Sequence, residues 1–213
     1  MAERTQMDRQ LQIRKVAGEV MGLAHDGLLI NMRFLDVALS RLKVECREQT
    51  GAHLYDGTAL YYDPVLLLRQ YKRAPRYAAR LYLHTLLHCI FYHGVSADKL
   101  NRTYWDMATD IAVEHTILDM DLHLTKLASD DILRSRLEIL GKQAGGLTAE
   151  KLYRHFRVEE PSGKAMEEWH KLCHYDEHIY WDRQEELELS QAEWRRISER
   201  IKADLKSFSK DKN

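Results

Sequence analysis

Two histidines, His84 and His88, lie four residues apart in an otherwise strongly apolar stretch for which the hydrophobic pattern predicts a helix over residues 76–92. Side chains at this spacing project from one helix face, so both imidazoles can bind one ion. Two histidines without partners would be costly in a buried helix. The pattern therefore favours a metal site, with packed core histidines as the alternative.

The neighbouring segments contain the other groups that such a site needs. A helix predicted over residues 101–120 presents Asp106, Asp110 and Glu114 at successive four-residue steps, which lines one face with carboxylates. Upstream, residues 52–55 and 58–62 read as two short strands around an Asp-Gly turn. A strand edge, a two-histidine helix and a carboxylate helix form the arrangement of a zincin, so we expect these three elements to meet.

Three stretches together resemble the metallopeptidase (zincin-like) domain that precedes von Willebrand factor A-like (VWA-like) domains in bacterial proteins. Tyr82–His88 looks like its HExxH helix, Trp105–Val113 like its W-N-x-A-x-D-x-x-V helix, and His174–Trp181 like its late D-x-H-x-x-W segment. The resemblance runs from about residue 27 to residue 196. It implies a zincin-like fold that binds zinc or another divalent metal.

By this resemblance His84, His88 and Asp110 are the metal ligands. His93 is a competing third ligand, but five residues rotate it about 140° from His88, so it can join only if the helix ends or bends first. His178 either closes the site or binds substrate; the alternative is a hydrogen-bonded histidine that packs near Trp181.

Thr85 departs from the HExxH pattern, because it stands where the catalytic glutamate should be. That glutamate acts as the general base, which threonine cannot replace near neutral pH, whereas metal binding does not require it. Glu114, one turn after Asp110, could partly replace the base; the alternative is a supporting or surface-paired carboxylate.

Three functions follow from these residues. The first is a catalytically impaired, metal-binding metallopeptidase-like domain that acts as a recognition or scaffold module. The second is an active metal-dependent hydrolase with a substitute base such as Glu114, and the third is a helical interaction domain without metal. The resemblance also implies a VWA-like domain in a longer protein and a MoxR-type ATPase as partners, and a peptide or protein ligand is possible.

Composition excludes several other classes. The chain has 32 basic and 33 acidic residues among 213, a balance that argues against a general nucleic-acid binder. It contains no uninterrupted apolar run of the ~18 residues that span a bilayer. Its three cysteines form no CxxC pair, which fits a reducing compartment. We therefore expect a cytoplasmic protein that contacts neither nucleic acid nor membrane.

The predicted fold class is α+β, predominantly helical, with a small β-hairpin as the only convincing strand signal. The predicted division is a helical lead-in over residues 1–25, the zincin-like domain over 26–196, and a charged helix end and tail over 197–213. The remaining elements are helices over 9–20, 26–44, 65–71, 148–156 and 184–206, a less regular segment over 122–140, and a polar linker over 157–164.

Overall fold

The computed structural model describes residues 2–94, 100–182 and 184–210. Most of this part of the chain is helical, as predicted. The helices, in chain order, are α1 (Ala2–Asn31), α2 (Asp36–Arg41), α3 (Pro64–Arg73), α4 (Tyr77–Ile90), α5 (Arg102–Met120), α6 (Asp130–Ala144), α7 (Ala149–Glu159), α8 (Gly163–Cys173) and α9 (Gln184–Lys210).

A small mixed sheet accompanies the helices. Its strands are β1 (Lys43–Cys46), β2 (Leu54–Tyr55), β3 (Ala59–Tyr62) and β4 (Glu177–His178), in the order β1-β3-β2-β4. The antiparallel pair of β2 and β3 confirms the predicted hairpin, while β1 and β4 add parallel strands at its two edges. The α+β, predominantly helical fold class is therefore confirmed, although two of the four strands lie outside the predicted hairpin.

The N-terminal part of the chain differs most from the prediction. The sequence predicts separate helices over residues 9–20 and 26–44, with Gly22 and Gly27 marking the gap, but α1 runs through both glycines without a break. A Cβ at position 27 would lie 2.8 Å from a side-chain carbon of Leu124, so Gly27 allows close packing rather than a turn. The predicted division after residue 25 thus falls inside α1. The predicted helix over 26–44 is wrong in its second half, which contains a 3₁₀ turn, α2 and β1.

Helix α4 forms the centre of the molecule. Every residue from Ala78 to Ile90 is buried, and the helix contacts α1, α3, α5 and α9. A helix that is apolar on nearly all sides must be covered on all sides, which explains why this segment is central. Residues on its surface, including the polar ones, therefore face protein rather than water.

The sequence predicts a helix over residues 76–92 with Gly94 as its C-cap, but α4 ends earlier. The helix ends at Ile90, and Tyr92 adopts the left-handed conformation with φ 59°, which redirects the chain before Gly94. Gly94 instead lies against the hairpin, where a Cβ would stand 3.4 Å from the Gly57 Cα. The turn brings the following residue, His93, back towards the helix, as the hydrogen bond from its backbone N–H to the His88 carbonyl shows.

The C-terminal half follows the prediction except for α8 and β4, which the sequence does not predict. Helix α7 extends to Glu159 and α8 begins at Gly163, so the predicted linker over 157–164 shrinks to three residues. Helix α9 confirms the charged amphipathic helix, and the last predicted tail residues, 211–213, lie outside the described part of the chain. Among the described residues, no helix is both long and apolar enough to cross a bilayer.

The first prediction concerns Asp63, which caps α3. Its carboxylate accepts hydrogen bonds from the backbone N–H groups of Val65, Leu66, Thr50 and Gly51. Burial opposes the charged form, but these donors outweigh it and lower the carboxyl pKa below 3.8. We expect Asp63→Ala to lower the free energy of unfolding by about 1–2 kcal/mol at neutral pH.

A carboxyl with a depressed pKa stabilises the fold above its unfolded-state pKa and loses this effect as the pH falls through its folded-state pKa. The difference between wild type and Asp63→Ala should therefore be full near pH 7 and shrink below about pH 4. Urea unfolding at both pH values measures it, with Asp8→Ala as an exposed control. An equal difference at both pH values would contradict the role of the ionised carboxylate.

Candidate metal centre

Helix α4 brings the two predicted histidine ligands together. His84 and His88 are fully buried and lie one turn apart, with their Nε2 atoms 3.0 Å from each other. Both Nε2 atoms point towards α5. The i and i+4 spacing has therefore produced the shared face that the sequence predicts.

Helix α5 adds the predicted third ligand. The Oδ1 atom of Asp110 lies 3.5 Å from Nε2 of His84 and 3.3 Å from Nε2 of His88. Asp110 is buried like the histidines. The structure thus brings His84, His88 and Asp110 into one cluster whose ligand atoms all lie within 4.8 Å of one another.

Two further side chains, Asp176 and His178, come from strand β4 and the residue directly before it. Side chains two residues apart on an extended strand point to the same side, and here that side faces α4 and α5. Backbone hydrogen bonds from Glu177 to His53 and from Ile179 to Tyr55, each 2.7 Å, attach the strand to the hairpin. As a result, Nε2 of His178 lies 3.2 Å from Oδ1 of Asp110 and 3.5 Å from Oδ1 of Asp176.

Several of these atoms are close together without being hydrogen-bonded. His178 Nε2, Asp110 Oδ1 and Asp176 Oδ1 are buried and lack a hydrogen-bond partner in the described part of the chain. Buried polar atoms are normally paired, so three unpaired atoms at one point need an explanation. Side-chain atoms that bind a shared ion lie close together in this way without hydrogen bonds between them.

The separations also fit a metal ion. Nitrogen and oxygen ligands lie about 2.0–2.2 Å from zinc, so two ligands of a tetrahedral site are roughly 3.3–3.6 Å apart. The two Nε2 atoms of His84 and His88 are 3.0 Å apart, and Oδ1 of Asp110 lies 3.2 Å from His178, 3.3 Å from His88 and 3.5 Å from His84, close to this range. Imidazole and carboxylate are ligands that zinc and similar divalent ions accept. The residues present therefore fit a divalent metal ion.

The other nitrogen of each imidazole, Nδ1, contacts a further polar side chain. Nδ1 of His84 lies 2.9 Å from Glu114, and Nδ1 of His178 lies 3.0 Å from Asp106. Nδ1 of His88 lies 3.1 Å from Nδ1 of His93. Such partners fix the tautomer and orientation of a metal-binding histidine and raise its basicity. His93 consequently lies behind His88 instead of among the converging atoms.

Without a metal ion, the negative charges of the buried carboxylates are balanced only if some of the histidines are protonated. Burial lowers the pKa of His88 to about 4, with Asp110 opposing it. For His84, the nearby carboxylates of Asp110 and Glu114 outweigh burial and raise the pKa to about 9. For His178, the charge of Asp110 outweighs burial and raises the pKa well above 6.5.

The carboxylates show the opposite shift. Burial opposes their ionisation, but His178 lowers the pKa of both Asp110 and Asp176 below the ordinary value. Near neutral pH the centre thus holds two carboxylates against two imidazolium ions. A divalent cation could replace both protons and leave the net charge unchanged.

Glu114 lies on the outer side of His84. Its carboxylate accepts a 2.6 Å and a 3.0 Å hydrogen bond from Arg80, and both residues are buried. Arg80 also donates to the carbonyl of Thr125 and lies 3.4 Å from Asp130. Glu114 is therefore separated from the converging atoms by the His84 ring and paired with a cation. This geometry favours a supporting carboxylate over a substitute base.

Thr85 and Asp176 form a contact that the sequence does not predict. The Thr85 hydroxyl donates to Oδ2 of Asp176 and also lies 3.2 Å from the Leu81 carbonyl. The carboxylate of Asp176, directly before β4, thus lies beside the position where an HExxH helix has its glutamate. The spacing of Asp176 and His178 could have revealed that they share a face, but only if a strand had been predicted there.

Comparison with known families agrees with this geometry. Residues 16–200 match the model of a family described as "putative metallopeptidase domain". The chain belongs to this family. The resemblance inferred from the three motifs is thereby confirmed, while the association with a VWA-like domain stays a prediction. Searches of curated proteins and of solved structures find no match.

The second prediction tests the buried ion pair behind His84. Arg80→Met leaves the Glu114 carboxylate buried without its main counter-charge, and removal of one partner of a buried pair costs about 3–5 kcal/mol. Urea unfolding of the metal-free protein measures this loss. Arg73→Met, an exposed arginine at the end of α3, should change stability by less than about 0.5 kcal/mol.

Adding Glu114→Gln to Arg80→Met should recover part of the stability, because the uncompensated charge is then gone. If Arg80→Met unfolded at the same urea concentration as wild type, the pair would not be needed to hold Glu114 in place.

Proposed function

We propose that this domain binds one zinc-type divalent ion through His84, His88, Asp110 and His178, and acts as a recognition or scaffold module without ordinary peptidase activity. The observation that carries the proposal is the convergence of four ligand atoms from α4, α5 and β4, two of them buried without a hydrogen-bond partner in the described structure. Zinc fits best because the set is rich in imidazole.

The number of protein ligands supports a non-hydrolytic role. Catalytic zinc sites keep one coordination position open, with three protein ligands, whereas structural sites are closed by four. In this chain His178 adds a fourth ligand to the three that the family resemblance implies, and Asp176 stands beside it. All five side chains are 2% exposed or less. Little room is left for a substrate to approach the ion.

The position after His84 supports the same reading. Thr85 cannot take up a proton near neutral pH, and its hydroxyl is already engaged by Asp176 and Leu81. A metal held here would supply Lewis-acid polarisation if a substrate could reach it. The four ligand residues would bind and orient the ion, but Thr85 would not transfer a proton.

A recognition or scaffold module needs a surface that binds a partner. A metal tying α4, α5 and β4 together would fix the relative positions of three elements far apart in sequence and so present a stable surface to a peptide or protein ligand. The VWA-like domain and the MoxR-type ATPase stay proposals that rest on the resemblance alone.

The third prediction is metal content. Protein purified without chelators should retain one tightly bound zinc-type ion per chain after a brief wash with a weak chelator, measured by elemental analysis. His88→Ala should retain none, because it removes a ligand. Asp110→Asn, which keeps the side-chain size, should also fail to retain the ion. His123→Ala, an exposed histidine that contacts Arg76, serves as the control.

Tight metal in folded His88→Ala and Asp110→Asn, or none in wild type reconstituted with zinc, would refute the proposed centre. Far-UV circular dichroism of each variant separates a lost ligand from a lost fold.

A second candidate function is an active hydrolase, and one observation favours it. Oδ1 of Asp176 is buried, belongs to the same ligand cluster as His88 and His178, and makes no hydrogen bond within the described structure. A carboxylate in that place could accept a proton from a water molecule. Asp176, held by Thr85, is thus a better positioned base than Glu114, which Arg80 neutralises.

The fourth prediction separates the two functions. We expect zinc-loaded wild type to cleave a mixed peptide library no faster than His84→Ala, as measured by mass spectrometry. If wild type does cleave, the hydrolase is supported, and Asp176→Asn should then abolish cleavage while the protein still contains metal. Cleavage that survives Asp176→Asn but not Glu114→Gln would instead favour Glu114 as the base.

A further inference from the structure

A second pair of histidines with the same spacing occurs at the end of α8. His170 and His174 are four residues apart, and Glu177 follows three residues later. The ring centroids of the two histidines are 3.9 Å apart, and Nε2 of His174 lies 3.2 Å from Oε1 of Glu177. One ligand atom from each of the three residues lies within 4.8 Å of the others. Unlike the buried centre, this group is at the surface, with His170 and Glu177 exposed.

The orientation of His174 is fixed from inside the protein. Its Nδ1 lies 3.0 Å from Oδ2 of Asp110, which is buried. An imidazole held at Nδ1 by a carboxylate presents Nε2 outward, and this pairing is typical of metal-binding histidines. His174 is therefore oriented as the histidines of the buried centre are, whereas a surface histidine without a ligand role needs no buried carboxylate behind it.

The surroundings leave space for an ion and for solvent. A cavity of about 450 Å³ opens beside the group and is lined by His170, His174 and Glu177 together with Asp106 and Asp110. Since His170 is exposed, its ring can turn towards Nε2 of His174 without repacking the core. Three protein ligands would leave the other coordination positions to water or to an incoming carboxylate.

We infer that His170, His174 and Glu177 form a second, surface site for a zinc-type divalent ion, distinct from the buried centre. Two imidazoles and one carboxylate select zinc, cobalt or nickel over calcium or magnesium, which prefer oxygen ligands. The two sites share Asp110: its Oδ1 faces the buried centre, and its Oδ2 orients His174. The surface site binds more weakly, because it has fewer protein ligands and is open to water.

The fifth prediction is the number of ions bound. Metal-free full-length protein dialysed against micromolar zinc should bind two ions per chain, of which a weak chelator removes one. His170→Ala, an exposed position whose replacement leaves the core intact, should bind one. Glu177→Gln should weaken the second ion by at least about tenfold. His123→Ala should still bind two, which excludes a general effect of losing a surface histidine.

The buried centre is tested separately in the same experiment. Folded His88→Ala should lose the tight ion and keep the weaker one, while His170→Ala should keep the tight ion, so failure of one site does not mean failure of the other. The surface site is refuted if His170→Ala binds as many ions as wild type.

Discussion

The structure depends on the need to neutralise charges buried between α4 and α5. Asp110, Glu114 and Asp176 are almost completely shielded from water, as are the imidazoles around them. A buried charge without a partner is far more costly than one at the surface. Each of these groups therefore requires an opposite charge, a hydrogen-bond donor or an ion in a defined place, and the surrounding elements are arranged so that each group has one.

The two nitrogens of each imidazole in this centre have different partners. The inner nitrogens, Nε2 of His84, His88 and His178, all lie within 3.5 Å of Oδ1 of Asp110, while their outer Nδ1 atoms contact Glu114, His93 and Asp106. Glu114 in turn is neutralised by Arg80. The outer layer holds the inner one in position before any ion arrives, because each ring has only one orientation that satisfies its outer partner. Such prior orientation is what a metal site needs for affinity.

The sequence could predict the parts of this centre that depend on helical periodicity. His84 and His88 share a face, and Asp106, Asp110 and Glu114 line the next helix, because 3.6 residues per turn decides both. It could not predict contacts that depend on tertiary pairing. Strands β1 and β4 are two to four residues long and become strands only because a hairpin edge is available. Without β4, the shared orientation of Asp176 and His178 cannot be read from their spacing.

The positions of the glycines also led to wrong helix boundaries, because the role of a glycine depends on tertiary packing. Gly22 and Gly27 lie inside a continuous helix, and the left-handed turn after α4 falls on Tyr92 and not on Gly94. A glycine can mark a turn or a close approach, and only the packed structure distinguishes them. At Gly27 and Gly94 the close approach decides, through Leu124 and the hairpin respectively.

The exchange of glutamate for threonine at position 85 has to be considered together with Asp176. Thr85 is fully buried, and its hydroxyl donates to the Asp176 carboxylate. A glutamate at position 85 would place a second carboxylate against Asp176 in the same buried space, where two like charges raise each other's pKa until one is protonated. The threonine and the aspartate are thus compatible with each other in a way that glutamate and aspartate are not. In a Thr85→Glu variant, the Asp176 carboxylate would oppose ionisation of the new glutamate. What position 85 can contribute chemically therefore depends on both residues.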